Sequence, residues 1–224
     1  MKYIERNAGD WIIKRLKEEK VFGLILSGVV GCGKTTLIEN IMHQLKEEWS
    51  CFAYTCDDLQ FRLRVKENTK FILHEIRSVS QKKSLVFIDE VQKSEEIFDS
   101  LKILFDAGIS FIVTGSNPAY LNSVARKRLQ RRADWLTLAP LYPSEVLTHE
   151  KLINKDNSDW FMQNILLLFM EKKIPRIPHW DMTLNDEINI QNDKFLQVGG
   201  LPLAFLKGAP DGLVEVQKIV ERGL

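Results

Sequence analysis

The stretch "LILSGVVGCGKTTLIENI", residues 24–41, constrains the fold of this chain more than any other part of the sequence. An apolar run passes into a turn with three glycines, then into Lys-Thr-Thr and an amphipathic segment. A short apolar run ended by glycine predicts a strand buried on both faces, and the segment after it has the apolar spacing of a helix. The sequence therefore predicts a strand, a glycine-rich turn and a helix in direct succession.

The turn fits the pattern G-x-x-x-x-G-K-[ST] from Gly28 to Thr35. Glycines let backbone N–H groups turn inward around phosphate oxygens, the helix N-terminus adds the positive end of its dipole, and the lysine reaches the β- and γ-phosphates. The threonine hydroxyl would bind Mg²⁺. The alternative is a glycine-rich turn that carries a lysine by chance. The residues predicted to contact ATP and Mg²⁺ here are Gly28, Val29, Val30, Gly31, Cys32, Gly33, Lys34, Thr35 and Thr36.

The segment "LVFIDEVQK" ends a second apolar run in two acids, Asp89 and Glu90. They are predicted to lie at the carboxyl edge of the sheet, where open α/β sheets bind ligands. One carboxylate can support Mg²⁺, as the Walker-B aspartate does, and the next can polarise water. The alternative is a solvated helix N-terminus, where acidic residues are common. Downstream of a phosphate loop, the pair favours hydrolysis over phosphoryl transfer to a small molecule.

Two further segments carry candidate catalytic residues. "FIVTGSN" ends a strand with Thr114, Ser116 and Asn117, and we expect Ser116 to orient the attacking water or sense the γ-phosphate. The alternative for it is a simple strand-ending turn. "ARKRLQRRAD" carries five basic residues, including Arg131 and Arg132. Three hypotheses stand for this cluster: a solvated helix face, an arginine finger reaching a neighbour's γ-phosphate, and a patch for nucleic acid.

Length and composition limit the number of domains and the kinds of partner that this chain can have. With 224 residues, 45% of them hydrophobic, the chain can form one α/β domain and a small appendage. A net charge of +1 gives no global field for a nucleic acid or membrane partner. The longest apolar run, from Ile165, is far below the roughly 20 residues that span a bilayer. Three cysteines argue against a disulfide framework, and we expect a cytoplasmic protein without a membrane partner.

Strands alternate with helices over residues 21–140, which predicts a parallel, doubly wound sheet. The alternation of strand and helix patterns ends after "PLYPSEV". Residues 151–224 contain helix-period segments, a loop-like "KKIPRIPHWD" and no convincing apolar strand. We therefore expect a core at residues 1–150 and a small helical annex at 151–224.

The ordered set "SGVVGCGKTTL", "FIDEVQK", "FIVTGSN", "LQRRADWLTLAPLYPSEV" and "GGLPLAF" resembles the prokaryotic AAA-type P-loop ATPases of the AAA+ superfamily. Their usual motifs are GPRQVGKTTL, IDEIQ, TGSS, a Gly-Arg step before a strand ending in Pro-Leu, and GG-x-P. The resemblance covers nearly the whole chain. It implies a P-loop core with a five-stranded parallel sheet of AAA-type order, in which the phosphate-loop strand lies in the middle beside "FIVTGS" and "CFAYT" lies at an edge.

The same resemblance implies a helical lid over residues 151–224. Family members often continue into a nuclease-like or winged-helix domain, so truncation before a further domain is left open. The site roles that the resemblance implies are phosphate and Mg²⁺ binding by Lys34 and Thr35, metal support by Asp89, activation of water by Glu90, and γ-phosphate sensing by Ser116.

The resemblance also implies that Gly200 and Pro202 help to hold the adenine base, and that Arg131 or Arg132 takes the place of the Gly-Arg arginine. Two departures matter. Val29-Val30 replaces Pro-Arg in the loop, which removes any phosphate contact made by that arginine. Gln130-Arg131 or Arg131-Arg132 replaces Gly-Arg, which leaves the finger assignment uncertain by one residue.

The function expected from these features is Mg²⁺-dependent ATP hydrolysis that drives or switches a partner domain or macromolecule. The partner is an unidentified protein or nucleic acid, and a homo-oligomer fits the finger hypothesis. Two alternatives remain. One is a P-loop kinase of a small molecule or nucleoside; the other is a nucleotide-held signalling switch with little turnover.

Overall fold

The computed structural model describes residues 3–80, 82–153, 185–208 and 211–223. They form two compact units, one spanning Asn7–Ala139 and the other made of residues 3–6 with the described residues from Pro140 onward. The segment "KKIPRIPHWD" and the apolar run from Ile165 lie outside the described residues. No helix in the described ranges is long and apolar enough to cross a membrane.

The larger unit alternates strands and helices along the chain, as the sequence predicts. Its strands are β1 (Gly23–Ser27), β2 (Ser50–Thr55), β3 (Ser84–Asp89), β4 (Ser110–Gly115) and β5 (Asp134–Thr137). Its helices are α1 (Asn7–Glu18), α2 (Lys34–Leu45), α3 (Leu59–Glu67), α4 (Phe71–Val79), α5 (Ile97–Asp106) and α6 (Pro118–Arg128), with a 3₁₀ turn at Val91–Lys93. Asn68 is the C-cap of α3 and separates this helix from α4.

All five strands are parallel, in the order β2-β3-β4-β1-β5. The predicted five-stranded sheet is therefore confirmed, with β1 beside β4 and β2 at an edge. The strand before the phosphate loop is interior, although β4 holds the central place. The buried runs of β1, β3 and β4 suit this arrangement, since interior strands of a parallel sheet are covered on both faces.

Side-chain alternation along β1 divides its apolar residues between two cores. Ile25 faces a core formed with α3, α4, α5 and α6, whereas Leu24 and Leu26 face a core formed with α1 and α2. Successive strand residues point to opposite faces, so one short apolar strand contributes to both layers. This packing explains why β1 carries no polar residue before Ser27.

Helix α5 begins two residues later than the sequence predicts. A serine before an apolar run is a common N-cap, which favours Ser94. In the structure α5 begins later, with Glu96 as its N-cap, and the Ser94 hydroxyl donates to the Glu96 carboxylate at 3.1 Å. The Ser94 N–H donates to the Val91 carbonyl and closes the preceding 3₁₀ turn. At its other end α5 has Ala107 as its C-cap, and Gly108 follows with φ +84°, the left-handed conformation that is common just past a helix.

The smaller unit contains α7 (Pro143–His149), α8 (Asn185–Val198), α9 (Pro202–Lys207) and α10 (Asp211–Gly223). A buried ion pair ties the chain start to α7: Arg6 Nε lies 3.1 Å from Glu145 Oε2, and both side chains are at most 3% exposed. The same carboxylate accepts the Tyr142 N–H at 2.9 Å. Removing either charge would leave the other buried, which is strongly destabilising.

The core assignment predicts a difference between two leucines on helices of the larger unit. Leu101 on α5 is fully buried, whereas Leu63 on α3 is 43% exposed. We expect Leu101→Ala to lower the free energy of unfolding by about 2–5 kcal/mol, because it leaves a cavity. Leu63→Ala should change it by about 0.5 kcal/mol or less. Urea denaturation followed by circular dichroism measures both values, and equal losses would contradict the packing described here.

Candidate functional site

The phosphate-loop segment connects β1 to α2, as the sequence predicts. Gly33 is the N-cap of α2 and has φ +93°, a left-handed conformation that side chains disfavour. At Gly28 a Cβ would lie 2.5 Å from the Leu138 carbonyl oxygen and 2.9 Å from Cys32 Sγ. Glycine is required at Gly28 for close packing and at Gly33 for backbone conformation.

The remaining loop residues separate into a buried and an exposed group. Cys32 is fully buried within the core of α1 and α2, so it packs as a small residue. Val29 and Val30 are 54% and 41% exposed, and Gly31 and Thr36 are also exposed. Val29 and Val30 thus present apolar surface on the loop.

Lys34, at the first position of α2, is buried to 6% exposure. Its Nζ donates hydrogen bonds to the Gly28 carbonyl at 2.9 Å and to the Val29 carbonyl at 3.1 Å. The side chain therefore folds back along the loop and places its ammonium among backbone carbonyls. A buried cation at a helix N-terminus creates a local positive potential suited to an anion.

Thr35 and Asp89 meet although 54 residues separate them in the chain. Thr35 Oγ1 donates to Asp89 Oδ2 at 2.9 Å. The other carboxylate oxygen of Asp89 accepts from Glu90 N at 3.1 Å and from Thr114 Oγ1. A hydroxyl and a carboxylate side by side are oxygen donors of the kind that Mg²⁺ prefers, and such sites usually add phosphate oxygens and water. The donor set fits Mg²⁺.

Thr114 is a further candidate site residue, because its hydroxyl contacts Asp89, whereas the sequence favoured Ser116 on the same segment. The signal for it lies in the register: Ile88 on β3 pairs with Val113 on β4, so the next residues, Asp89 and Thr114, are neighbours. Asn117 has a structural use, because its side chain accepts the Tyr120 N–H at 3.0 Å and caps α6.

Glu90 and Ser116 are brought together at the same edge of the sheet. Glu90 has φ +55°, so the chain turns sharply after β3. Ser116 Oγ lies 3.4 Å from Glu90 Oε2, a long contact for a hydroxyl donor. Gln92, whose role was not predicted from the sequence, lies between them: its Nε2 donates to Glu90 Oε2 and, at 3.0 Å, to Ser116 Oγ.

Arg131 and Arg132 lie away from this group. They precede β5, and the Arg132 carbonyl oxygen would be 2.2 Å from a Cβ placed on Gly23, the first residue of β1. Both arginines therefore lie near the amino edge of the sheet, whereas the phosphate loop follows the carboxyl end of β1. Arg132 makes a two-pronged ion pair with Asp106, with Nε–Oδ1 2.7 Å and Nη2–Oδ2 3.1 Å. Arg131 is exposed.

Other members of the basic cluster also have local contacts. Arg128 forms ion pairs with Asp99 at 2.8 Å and Glu95 at 3.3 Å. Arg126 lines a cavity of about 330 Å³ beside α6 and β5, together with Trp135. The ion pairs of Arg128 support a solvated, charge-paired helix face for that part of the cluster.

Gly200 and Pro202 belong to the smaller unit. A Cβ on Gly200 would lie 2.6 Å from the Leu141 carbonyl oxygen, and the Gly200 carbonyl accepts the Leu141 N–H at 2.6 Å. Pro202 is the first residue of α9, where its missing N–H costs nothing. These contacts give both residues a packing role within their unit, and their contact with adenine stays a prediction.

A parallel sheet of this order, with a glycine-rich loop and a buried lysine at the start of the following helix, defines a P-loop NTPase fold. A family model described as an AAA domain matches residues 22–147, more than half of the chain. The chain therefore belongs to this family of AAA domains.

Comparison with solved structures gives distant neighbours. The FIGL-1 AAA domain in complex with ADP is 19% identical, with a TM-score of 0.47, and the match covers 71% of this chain and 64% of that chain. AMPPCP-bound DnaA from Aquifex aeolicus is 17% identical, with a TM-score of 0.48 and coverage of 88% and 70%. This chain thus spans slightly less than two thirds of the FIGL-1 chain. No curated protein matches it in sequence.

The Arg132–Asp106 pair predicts a pH-dependent contribution to stability. A hydrogen bond from the Arg132 guanidinium lowers the pKa of the Asp106 carboxyl. Because the folded pKa is below the unfolded one, the contribution is present above the unfolded pKa and is lost as pH falls through the folded pKa. Asp106→Asn should therefore lower Tm at neutral pH and have little effect in strong acid.

Thermal unfolding at a series of pH values measures this difference. Asp193→Asn, at an exposed position on α8, is the matched control and should leave Tm nearly unchanged throughout. A difference between Asp106→Asn and the parent that stays constant into strong acid would show that the pair contributes nothing through charge.

Proposed function

We propose that this chain hydrolyses ATP in a Mg²⁺-dependent reaction. The observation that carries the proposal is the hydrogen bond between Thr35 and Asp89, which joins the phosphate loop to the end of β3. Lys34 lies next to Thr35 and is already folded over the loop. A helix N-terminus, a buried ammonium and a hydroxyl–carboxylate pair thus converge on one place, and the charge of a nucleoside triphosphate·Mg²⁺ complex complements this set.

Each of these residues has a distinct role in the proposal. The Lys34 ammonium, released from the loop carbonyls, binds the β- and γ-phosphate oxygens. Thr35 and Asp89 hold Mg²⁺, the threonine through its hydroxyl and the aspartate from its fixed carboxylate. The bound ion would neutralise charge that develops on the phosphate oxygens.

Glu90 is proposed as the group that orients the attacking water and accepts its proton. Its carboxylate lies at the same strand edge as Asp89 but is held by Gln92 rather than by Thr35. Ser116, 3.4 Å from that carboxylate, is proposed to sense the γ-phosphate. This arrangement favours hydrolysis, since the acid is positioned beside the proposed metal pair.

Two substitutions separate binding from chemistry. Lys34→Ala should abolish ATP binding, because the lysine meets charge present in the ground state. Glu90→Gln should keep ATP affinity within about twofold of the parent and slow hydrolysis by roughly 10²–10⁴-fold, the usual contribution of a general base. Binding is measured with a fluorescent ATP analogue, and hydrolysis by phosphate release with excess Mg²⁺.

Matched controls are Lys46→Ala and Glu67→Gln, both at exposed positions outside the site. They should behave as the parent in both assays. Equal turnover in Glu90→Gln and the parent would remove Glu90 from the mechanism. Absence of ATP binding by the folded parent protein would refute the proposed function itself.

We further propose that hydrolysis drives or switches a partner and that an arginine of the basic cluster acts in trans. The cluster lies near the amino edge of the sheet, so a finger role requires a second copy of the chain. Arg131 is the better candidate of the two, because it is exposed whereas Arg132 is engaged by Asp106. A finger contacts charge that develops in the transition state, so it acts on turnover rather than on binding.

Arg131→Ala should bind ATP normally and hydrolyse it about 10³-fold more slowly at protein concentrations where copies associate. Mixing it with Lys34→Ala protein should restore part of the activity, since each copy supplies what the other lacks. Arg77→Ala, at an exposed position on α4, is the control. No recovery in the mixture would refute a trans role.

If the cluster instead binds nucleic acid, Arg131→Ala should leave basal turnover unchanged. It should also reduce the slope of log affinity for DNA against log salt concentration by about one. Phosphate release with ATP alone, and then with single- or double-stranded DNA added, separates these two hypotheses.

A further inference from the structure

Gln92 joins two residues that come from different strands. Its Nε2 donates to the Glu90 carboxylate, which follows β3, and to Ser116 Oγ at 3.0 Å, which follows β4. The direct contact between Glu90 and Ser116 is longer, at 3.4 Å. The amide of Gln92 is therefore the main link between the proposed base and the proposed sensor.

The orientation of this amide follows from chemistry. A carboxylate oxygen can only accept, so Nε2 must be the end that faces Glu90. This leaves Gln92 Oε1 buried, with no hydrogen-bond partner among the described residues. An unsatisfied buried acceptor carries a cost. The two hydrogen bonds that the same amide donates, to Glu90 and to Ser116, help to offset this cost.

Gly115 provides the space for the Gln92 side chain. A Cβ on Gly115 would lie 2.5 Å from Gln92 Oε1 and 2.5 Å from Leu121 Cδ1. Any larger residue would displace the amide or the leucine. The "DEVQ" and "TGS" segments of the sequence therefore contact each other, because the Gln92 side chain occupies the space beside Gly115.

We propose that Gln92 is a positioning residue that couples Glu90 to Ser116, so that movement of the Ser116 hydroxyl toward a γ-phosphate is transmitted to the Glu90 carboxylate. This inference rests on the proposed function. Gln92 carries no charge and moves no proton. It fixes the direction of the Glu90 carboxylate, and it does so through a donor that a Met side chain of similar length lacks.

The link itself is measured without nucleotide or turnover. In the parent, the effects of Glu90→Ala and Ser116→Ala on the free energy of unfolding should be non-additive, as expected for residues in one hydrogen-bond network. In a Gln92→Met background the same two substitutions should become additive. Unchanged coupling in that background would overturn the proposal, whether or not the chain hydrolyses ATP.

Steady-state kinetics then test the consequence for turnover. Gln92→Met should lower kcat by about 10–100-fold, the usual effect of losing a hydrogen-bond partner that orients a functional side chain, with KM for ATP within about twofold. Gln44→Met makes the same change at an exposed position on α2 and should leave both constants unchanged. In a Ser116→Ala background Gln92→Met should cost little more, because the link is already broken.

A purely structural role for Gln92 predicts a different pattern. Tm would fall, KM and kcat would change together, and the losses from Gln92→Met and Ser116→Ala would multiply. That result overturns the proposal while leaving ATP hydrolysis in place. Failure of the folded parent to hydrolyse ATP is a separate outcome, which would remove the proposed function and leave the unfolding experiment to decide the coupling.

Discussion

The hydrogen bond from Thr35 to Asp89 is the contact on which the rest of the site depends. It joins the first turn of α2 to the end of β3, two elements that are distant in sequence. The contact requires a parallel sheet, because only then do the carboxyl ends of β1, β3 and β4 meet at one edge. The site therefore depends on the order and register of the strands. A register shift in β3 would separate the Thr35 hydroxyl from the Asp89 carboxylate.

Charge is distributed around this contact in a consistent way. Lys34 is buried and bonded to two loop carbonyls, whereas both oxygens of Asp89 accept hydrogen bonds. A buried ionic group is stable only when it has such partners. The loop carbonyls are weaker partners for an ammonium than phosphate oxygens are, so a triphosphate would offer Lys34 a better environment.

Much of this arrangement could be predicted from sequence, because strong local signals mark it. Apolar runs ended by glycine or acid predicted β1 and β3, and their order along the chain predicted the sheet. Contacts between distant side chains left no such signal. Thr114 reaches Asp89 through strand register, and Arg132 pairs with Asp106 through the packing of the larger unit. Ser94 does not cap α5, because the helix begins two residues later than predicted and the Ser94 hydroxyl donates to the Glu96 carboxylate.

Adjacent acids at a strand end normally point to opposite faces of a sheet. Here the backbone changes that outcome: Asp89 completes β3, whereas Glu90 has φ +55° and begins a turn closed by a hydrogen bond from Lys93 N to its carbonyl. A left-handed glutamate costs roughly 1–2 kcal/mol, which the turn and the Gln92 contact help to offset. The kink directs one carboxylate to Thr35 and the other to Ser116. Two neighbouring acids can thus serve the two different roles that we propose, metal support and activation of water.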